Sequence, residues 1–256
     1  MHKKEEYIAV FDSGVGGISV LRELMGCMPE ENYLYFGDSA NAPYGSKTTQ
    51  QVRELTLQAA QMLLQRNVKA LVVACNTATA AAIQDLRQTY PDTIIVGIEP
   101  ALKVAADRFP GGKIGVMATP VTLREEKFAQ QVERFPGVEL CTIPVPALAE
   151  LIEAGHRNDE TVENLLRPAL VPYAGKLDAV VLGCTHYPFA AGAIRRILGK
   201  NTVLLDGGAG TARETRRRLE EAGLLWDGPG SLQMENSSGN PRLLALSMEL
   251  LEESPL

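Results

Sequence analysis

The feature that most constrains this chain is a repeat of strand-like runs. Lys113–Met117 (KIGVM) resembles Tyr7–Phe11 (YIAVF), and Ile8 and Ile114 lie 106 residues apart. The run reaching Cys141 (VELCT) falls about as far from Tyr33–Phe36. Val180–Cys184 (VVLGC) follows Val72–Cys75 by 109 residues, and Thr202–Leu205 follows Thr93–Val96 by the same 109. Short β-branched runs read as buried strands at Tyr7–Phe11, Tyr33–Phe36, Ala70–Ala74 and Thr93–Ile98. Between them, Gly16–Met25, Lys47–Arg66 and Thr77–Thr89 read as helices. Val52, Leu55, Ala59, Met62 and Leu63 share one face of the second of these. Alternation of this kind means βαβ units and a mainly parallel sheet with helices on both sides. The repeat predicts an α/β fold of two parallel-sheet domains of similar topology, related by a pseudo-twofold duplication, with the site in the cleft between them.

Proline restricts the chain at Glu99–Pro100, which marks the crossing between halves. A return crossing falls near Asp206–Gly210. The expected division is 1–98 plus 207–256 for the first domain and 99–206 for the second. Thr211–Leu256 then packs back on the first half. Gly228–Pro241, rich in Gly, Ser, Asn and Pro, reads as a loop.

Composition excludes several function classes. A net charge of -6 argues against a surface built for nucleic-acid phosphates. Four cysteines in 256 residues are too few for a disulfide scaffold. The apolar stretch after Met1–Glu6 ends at Asp12, too short for a signal-peptide core. No apolar run approaches the roughly 18 residues that span a membrane. A cytoplasmic protein with reduced thiols is the expectation.

In open α/β sheets, ligands bind beyond the carboxyl ends of the strands. Four segments fall there: Phe11–Gly17, Gly37–Gly45, Ala74–Ala80 and Gly183–Pro188. The last two each place a cysteine at a strand end with polar residues behind it. Cys75 and Cys184 occupy equivalent positions in the two halves, so they should face each other across the cleft. A helix N-terminus is expected to lower a thiol's pKa there, favouring the thiolate. Cys27 and Cys141 lack this setting and read as structural, and His2 and His156 as surface residues. Two opposed thiols suit inversion of an acidic carbon, one removing a proton from one face while the other returns a proton to the opposite face. Asp12 is placed to support Cys75, and His186 to support Cys184. Ser13, Asn76, Thr77 and Thr185 offer donors for substrate carboxylates.

At these residues the chain resembles the glutamate racemase family, within the cofactor-independent aspartate/glutamate racemase superfamily. The motifs are FDSGVGG (Phe11–Gly17), GDSANAPYG (Gly37–Gly45), ACNTATA (Ala74–Ala80), GIEPA (Gly97–Ala101) and LGCTHYP (Leu182–Pro188). IEAG (Ile152–Gly155) and SSGNP (Ser237–Pro241) are weaker echoes. The resemblance implies interconversion of L- and D-glutamate for peptidoglycan by a two-thiol mechanism with no cofactor and no metal. It implies flavodoxin-like halves, glutamate as the small-molecule partner, no nucleic acid or membrane partner, and often a homodimer. By motif position, Cys75 and Cys184 would be the catalytic thiols. Asp12 would support the first, and His186 with Glu153 the second, Glu150 being the alternative carboxylate. Asp12, Ser13, Tyr44, Gly45, Asn76, Thr77, Thr185 and His186 would hold the substrate. Ser39 stands where the family usually has Thr, and Asn41 where a basic residue is common.

Rival readings remain at this point. An aspartate or hydantoin racemase of the same superfamily would carry the same thiols. Gly14-Val15-Gly16 after a strand imitates a dinucleotide fingerprint, but position 19 is Ser where the third glycine would fall. A Cys-His hydrolase would leave Cys75 unused. A zinc site from Cys75, Cys184 and His186 lacks CxxC spacing.

Overall fold

The computed structural model describes residues 3–119, 135 and 137–253. His2 lies outside them. The strands in chain order are β1 (Tyr7–Asp12), β2 (Asn32–Gly37), β3 (Val68–Val73), β4 (Ile94–Gly97), β5 (Lys113–Ala118), β6 (Glu139–Pro144), β7 (Ala179–Gly183), β8 (Val203–Leu205) and β9 (Ser231–Asn236). They form two sheets, ordered β4-β3-β1-β2-β9 and β6-β5-β7-β8. Every pairing is parallel. Read from β8, the second sheet runs β8-β7-β5-β6, which is β4-β3-β1-β2 with four added to each label. The repeated strand pattern is therefore a repeated topology, of the flavodoxin-like order.

The helices are α1 (Ile18–Cys27), α2 (Thr49–Leu64), α3 (Asn76–Thr89), α4 (Ala101–Arg108), α5 (Leu148–Glu153), α6 (Glu160–Leu170), α7 (Ala191–Leu198), α8 (Gly208–Glu221) and α9 (Pro241–Glu252). They cover both faces of the first sheet, so its central strands are buried on both sides. Along β1, Ile8 and Val10 join the cluster that includes Ile18 and Leu21 of α1. Ala9 and Phe11 join the cluster with Val52 of α2 and Ile83 of α3, as the two-residue period of a strand requires. The expected second helix begins at Thr49 rather than Lys47, because Thr48 caps it in a reciprocal bond with Gln51. The larger cluster runs on into Met117, Leu182 and Tyr187, so one core joins the two sheets.

The chain leaves the first sheet after Gly97 and returns after Leu205. Helix α8 then packs on α1 and α9 on α1 and β9, which brings the C-terminal stretch back on the first half. One expectation is corrected. Gly228–Pro241 is not all loop, since β9 lies within it and adds to the edge of β2. Leu232 and Met234 pack against the core, while Gln233 bonds the Tyr7 hydroxyl and Glu235 pairs with Arg66. The alternation is that of an edge strand, and its turn-forming neighbours hide it.

At the opposite end of the first sheet from the strand carboxyl ends lies a buried ion pair. Lys69 Nζ sits 2.5 Å from Glu31 Oε2, with side chains 0% and 1% exposed. Lys69 also donates to the carbonyls of Lys4 and Leu224, and Glu31 Oε1 accepts from Trp226 N at 2.9 Å. The pair thus ties the N-terminal segment and the turn after α8 to β3. Removing one partner of such a pair strands a buried charge. Lys69→Met should lower unfolding free energy by about 3–5 kcal/mol, read from urea denaturation.

Candidate active site

The ends of β1 and β3 flank the point where strand order reverses in the first sheet, and β5 and β7 flank it in the second. Asp12 closes β1, Cys75 follows β3, Thr119 follows β5 and Cys184 follows β7. A cavity of about 510 Å³ opens between these ends. Cys75 and Cys184 both line it, with Ser13, Tyr44, Gly45, Asn76, Thr77, Thr185, His186 and Glu153. Asp12 does not line it, but lies fully buried beneath it.

The glycine-rich turn after β1 is the floor of the site. Asp12 Oδ1 accepts from Gly14 N at 3.0 Å, and the Tyr35 hydroxyl donates to Gly14 O at 2.6 Å. Side chains from the second half press on this turn. Thr185 Oγ1 donates to Asp12 Oδ2 at 3.0 Å, and Val15 N donates to Glu153 Oε1 at 2.8 Å. A Cβ at Gly14 would overlap Glu153 Oε1, and one at Gly16 would overlap His186 Nδ1 and Thr185 Oγ1. The glycines that imitate a dinucleotide fingerprint therefore make room for opposing side chains.

The two thiols have different surroundings. Cys75 is the N-cap of α3, its sulfur accepting from Ala78 N at 3.5 Å and lying 3.5 Å from Ser13 Oγ. Burial, joined by the Asp12 charge, nevertheless pushes this thiol up to about 12. The expected lowering at a helix N-terminus is thus overturned, because desolvation outweighs the amide bond. At rest Cys75 is a protonated thiol. Asp12 acts on it through its field, since its two oxygens are engaged by Gly14 and Thr185. Burial raises Asp12 to about 6, against the opposing pull of His186, Gly14 and Thr185.

Across the cavity, Cys184 Sγ lies 3.6 Å from His186 Nδ1. His186 Nε2 bonds Glu153 Oε1 at 2.8 Å. Burial opposes a charged ring, but the bonds with Cys184 and Glu153 prevail and hold His186 well above the usual imidazole range. The ring is an imidazolium beside the sulfur. Of the two candidate carboxylates, Glu153 makes this contact, while Glu150 lines the cavity from an exposed position. Cys27 and Cys141 are partly buried free thiols packed against the core, and His156 is a surface residue bonded to Asp159.

A family model described as Asp/Glu/Hydantoin racemase matches residues 19–215. The chain is 47% identical over 258 residues to a glutamate racemase of Clostridium botulinum (strain Alaska E43 / Type E3), covering 99% of this chain and 100% of that one. The crystal structure of glutamate racemase from Thermus thermophilus, in complex with β-chloro-D-alanine, superposes with a TM-score of 0.84 at 37% identity, covering 98% of this chain and 94% of that one. That of Francisella tularensis glutamate racemase in complex with D-glutamate gives 0.86 at 28% identity, with 99% and 96% covered. The chain belongs to the glutamate racemase family.

Other features of this racemase become legible in that light. Thr119 lines the cavity and was not singled out from the sequence. Its signal was available, because it lies 106 residues after Ser13, at the repeat offset. Tyr44 is buried with its hydroxyl donating to Asp38 Oδ2 at 2.7 Å, so its ring and backbone, not its hydroxyl, face the cavity. Asn41 donates to both Asp38 oxygens at 3.1 Å, so this carboxylate is held by an amide and by the Tyr44 hydroxyl. Ser39 accepts from Asn236 of β9 at 2.9 Å, and Ala40 N bonds Ser237 Oγ, which docks the SSGNP segment on the second loop. Among the described residues, no group of three or more His, Cys, Asp or Glu is disposed to hold a metal ion. Gly16→Ala should displace His186 and Thr185 and lower kcat/KM by about 10²-fold. Far-UV circular dichroism should stay unchanged.

Proposed function

We propose that this racemase interconverts L- and D-glutamate, with Cys75 and Cys184 as the two acid–base groups. The observation that carries the reading is two cysteines at equivalent strand ends, both lining one cavity from opposite halves. The Francisella tularensis relative, seen with D-glutamate, supports the choice of substrate.

In one direction the Cys184 thiolate takes the α-proton, the electron pair moves into the carboxylate, and the Cys75 thiol returns a proton on the opposite face. In the other direction the roles exchange. Cys75 begins protonated, as the donor of the first case must be. The imidazolium of His186, oriented by Glu153, lies where it can pass a proton to or from Cys184. The Asp12 carboxylate disfavours a second negative charge at Cys75, which keeps that thiol an acid until a proton is demanded of it.

Among the described residues, no Lys or Arg lines the cavity. Substrate carboxylates would be held by the hydroxyls of Ser13, Thr77 and Thr185, by Asn76, and by the open N–H groups at the start of α3. Tyr44 and Gly45 close one side. The reading carries with it homodimeric assembly and a cytoplasmic supply of D-glutamate for peptidoglycan. Among the described residues, no helix is long and apolar enough to cross a membrane.

Incubation with L-glutamate in D2O without added cofactor should place deuterium at Cα and abolish optical rotation. L-aspartate run alongside decides the substrate. Cys75→Ala and Cys184→Ala should each remove racemisation, and full activity in either would refute the two-thiol assignment. Asp12 must be a carboxylate to hold this charge pattern. kcat/KM should therefore fall as pH drops through about 6, where Asp12 takes up a proton.

A further inference from the structure

The loop that carries Cys184, Thr185 and His186 has a gap in its own hydrogen bonding. It enters a 3-10 turn at Tyr187–Ala190. Tyr187 N donates to Cys184 O at 3.1 Å, and Phe189 N donates to His186 O at 3.2 Å. The bond between these two, from residue 188 to Thr185 O, cannot form because residue 188 is proline and has no N–H. A buried carbonyl without a donor is costly. Ser19 of α1, in the other half, supplies one: its buried hydroxyl lies 2.9 Å from Thr185 O. The same hydroxyl lies 2.9 Å from Gly16 O, three residues back in the sequence. One proton serves two acceptors, so Ser19 stitches the glycine turn and the Cys184 loop together at a single point.

We propose that Ser19 is a positioning residue for racemisation, which by donating to Thr185 O keeps the Cys184–Thr185–His186 loop in register with Asp12 and Cys75. It touches neither substrate nor thiol. It acts through Thr185, whose hydroxyl reaches Asp12 Oδ2 only while the Thr185 backbone is held against α1. The Gly16 carbonyl is the local alternative that a helical serine ordinarily uses. If the halves part, Ser19 falls back on Gly16 and leaves no orphaned donor, so the stitch is reversible.

The inference rests on the two-thiol reading, and the experiment separates the two. Four proteins are compared: the unaltered chain, Ser19→Ala, Ser19→Thr, and the double variant Ser19→Ala with Pro188→Ala. The last restores a backbone N–H at position 188, where the turn lacks its middle bond. Racemisation of L-glutamate is followed by circular dichroism across pH, with thermal unfolding as the check of folding. Ser19→Ala should unfold within a few degrees of the unaltered chain and lose kcat by about tenfold or more, with KM little changed. The acid limb of its kcat/KM profile should move to higher pH, because Asp12 loses the Thr185 hydroxyl that favours its ionised form. The other ionisable groups facing Asp12 are His186, Glu153, Cys75, Tyr35 and Tyr44, and none of them is altered. Ser19→Thr should keep activity within about threefold, whereas the double variant should stay impaired, because its new N–H fills Thr185 O within the loop without tying the loop to α1.

Ser19→Ala activity within twofold of the unaltered chain overturns the inference. So does a loss that leaves the acid limb in place and that Ser19→Thr does not repair, since that pattern is one of packing alone, and so does full recovery in the double variant, whose loop is satisfied without α1. An unaltered chain that does not racemise glutamate refutes the functional reading itself, whatever the variants do.

Discussion

A single buried contact organises this protein: the Thr185 hydroxyl on the Asp12 carboxylate, 3.0 Å apart, with Asp12 fully shielded from solvent. Asp12 ends the central strand of one sheet, and Thr185 follows β7, an inner strand of the other. Each half alone would leave half a site: a buried carboxylate short of a donor, and a thiol with no opposite face to serve. The contact works only because the turn between them is glycine at 14 and 16. Side chains there would occupy the space of Glu153, His186 and Thr185. The glycine motif is thus a steric allowance at an interface between halves, and the continuous core beneath it keeps the halves together.

From this contact follows the protonic asymmetry of the site. The halves repeat in topology, but they are not chemical copies. Cys75 shares its surroundings with a carboxylate and is pushed up by burial, whereas Cys184 stands beside an imidazolium held by Glu153. Racemisation needs one acid and one base at any instant, and the buried Cys75 thiol is set to be the acid. Duplication provides the opposed faces. Divergence at Asp12 and His186 distinguishes them.

Much of the fold was legible in the sequence, since parallel strands buried on both faces read as apolar runs and the runs recur at one spacing. The site was legible where chemistry gathers at strand ends, as at Cys75, Cys184 and His186. Three things were hidden. The strand Ser231–Asn236 was masked by its Gly, Ser and Asn neighbours, because an edge strand needs only Leu232 and Met234 as its apolar face. Thr119 carried no motif, although the repeat offset from Ser13 pointed to it. The direction of the Cys75 shift was misread, because a helix N-terminus is visible in sequence and the depth of burial is not.

The sequence by itself determined the repeat of strand-like runs, the placing of two cysteines at equivalent strand ends and, through its motifs, the resemblance to the family. Only the tertiary structure decided which carboxylate meets His186, that burial raises the Cys75 thiol, and that the Ser19 hydroxyl meets the carbonyl Pro188 leaves without a donor. Those depend on distance, desolvation and the presence or absence of one N–H between segments more than 160 residues apart. Such terms arise only when the two halves close on each other, and no periodicity along the chain encodes them.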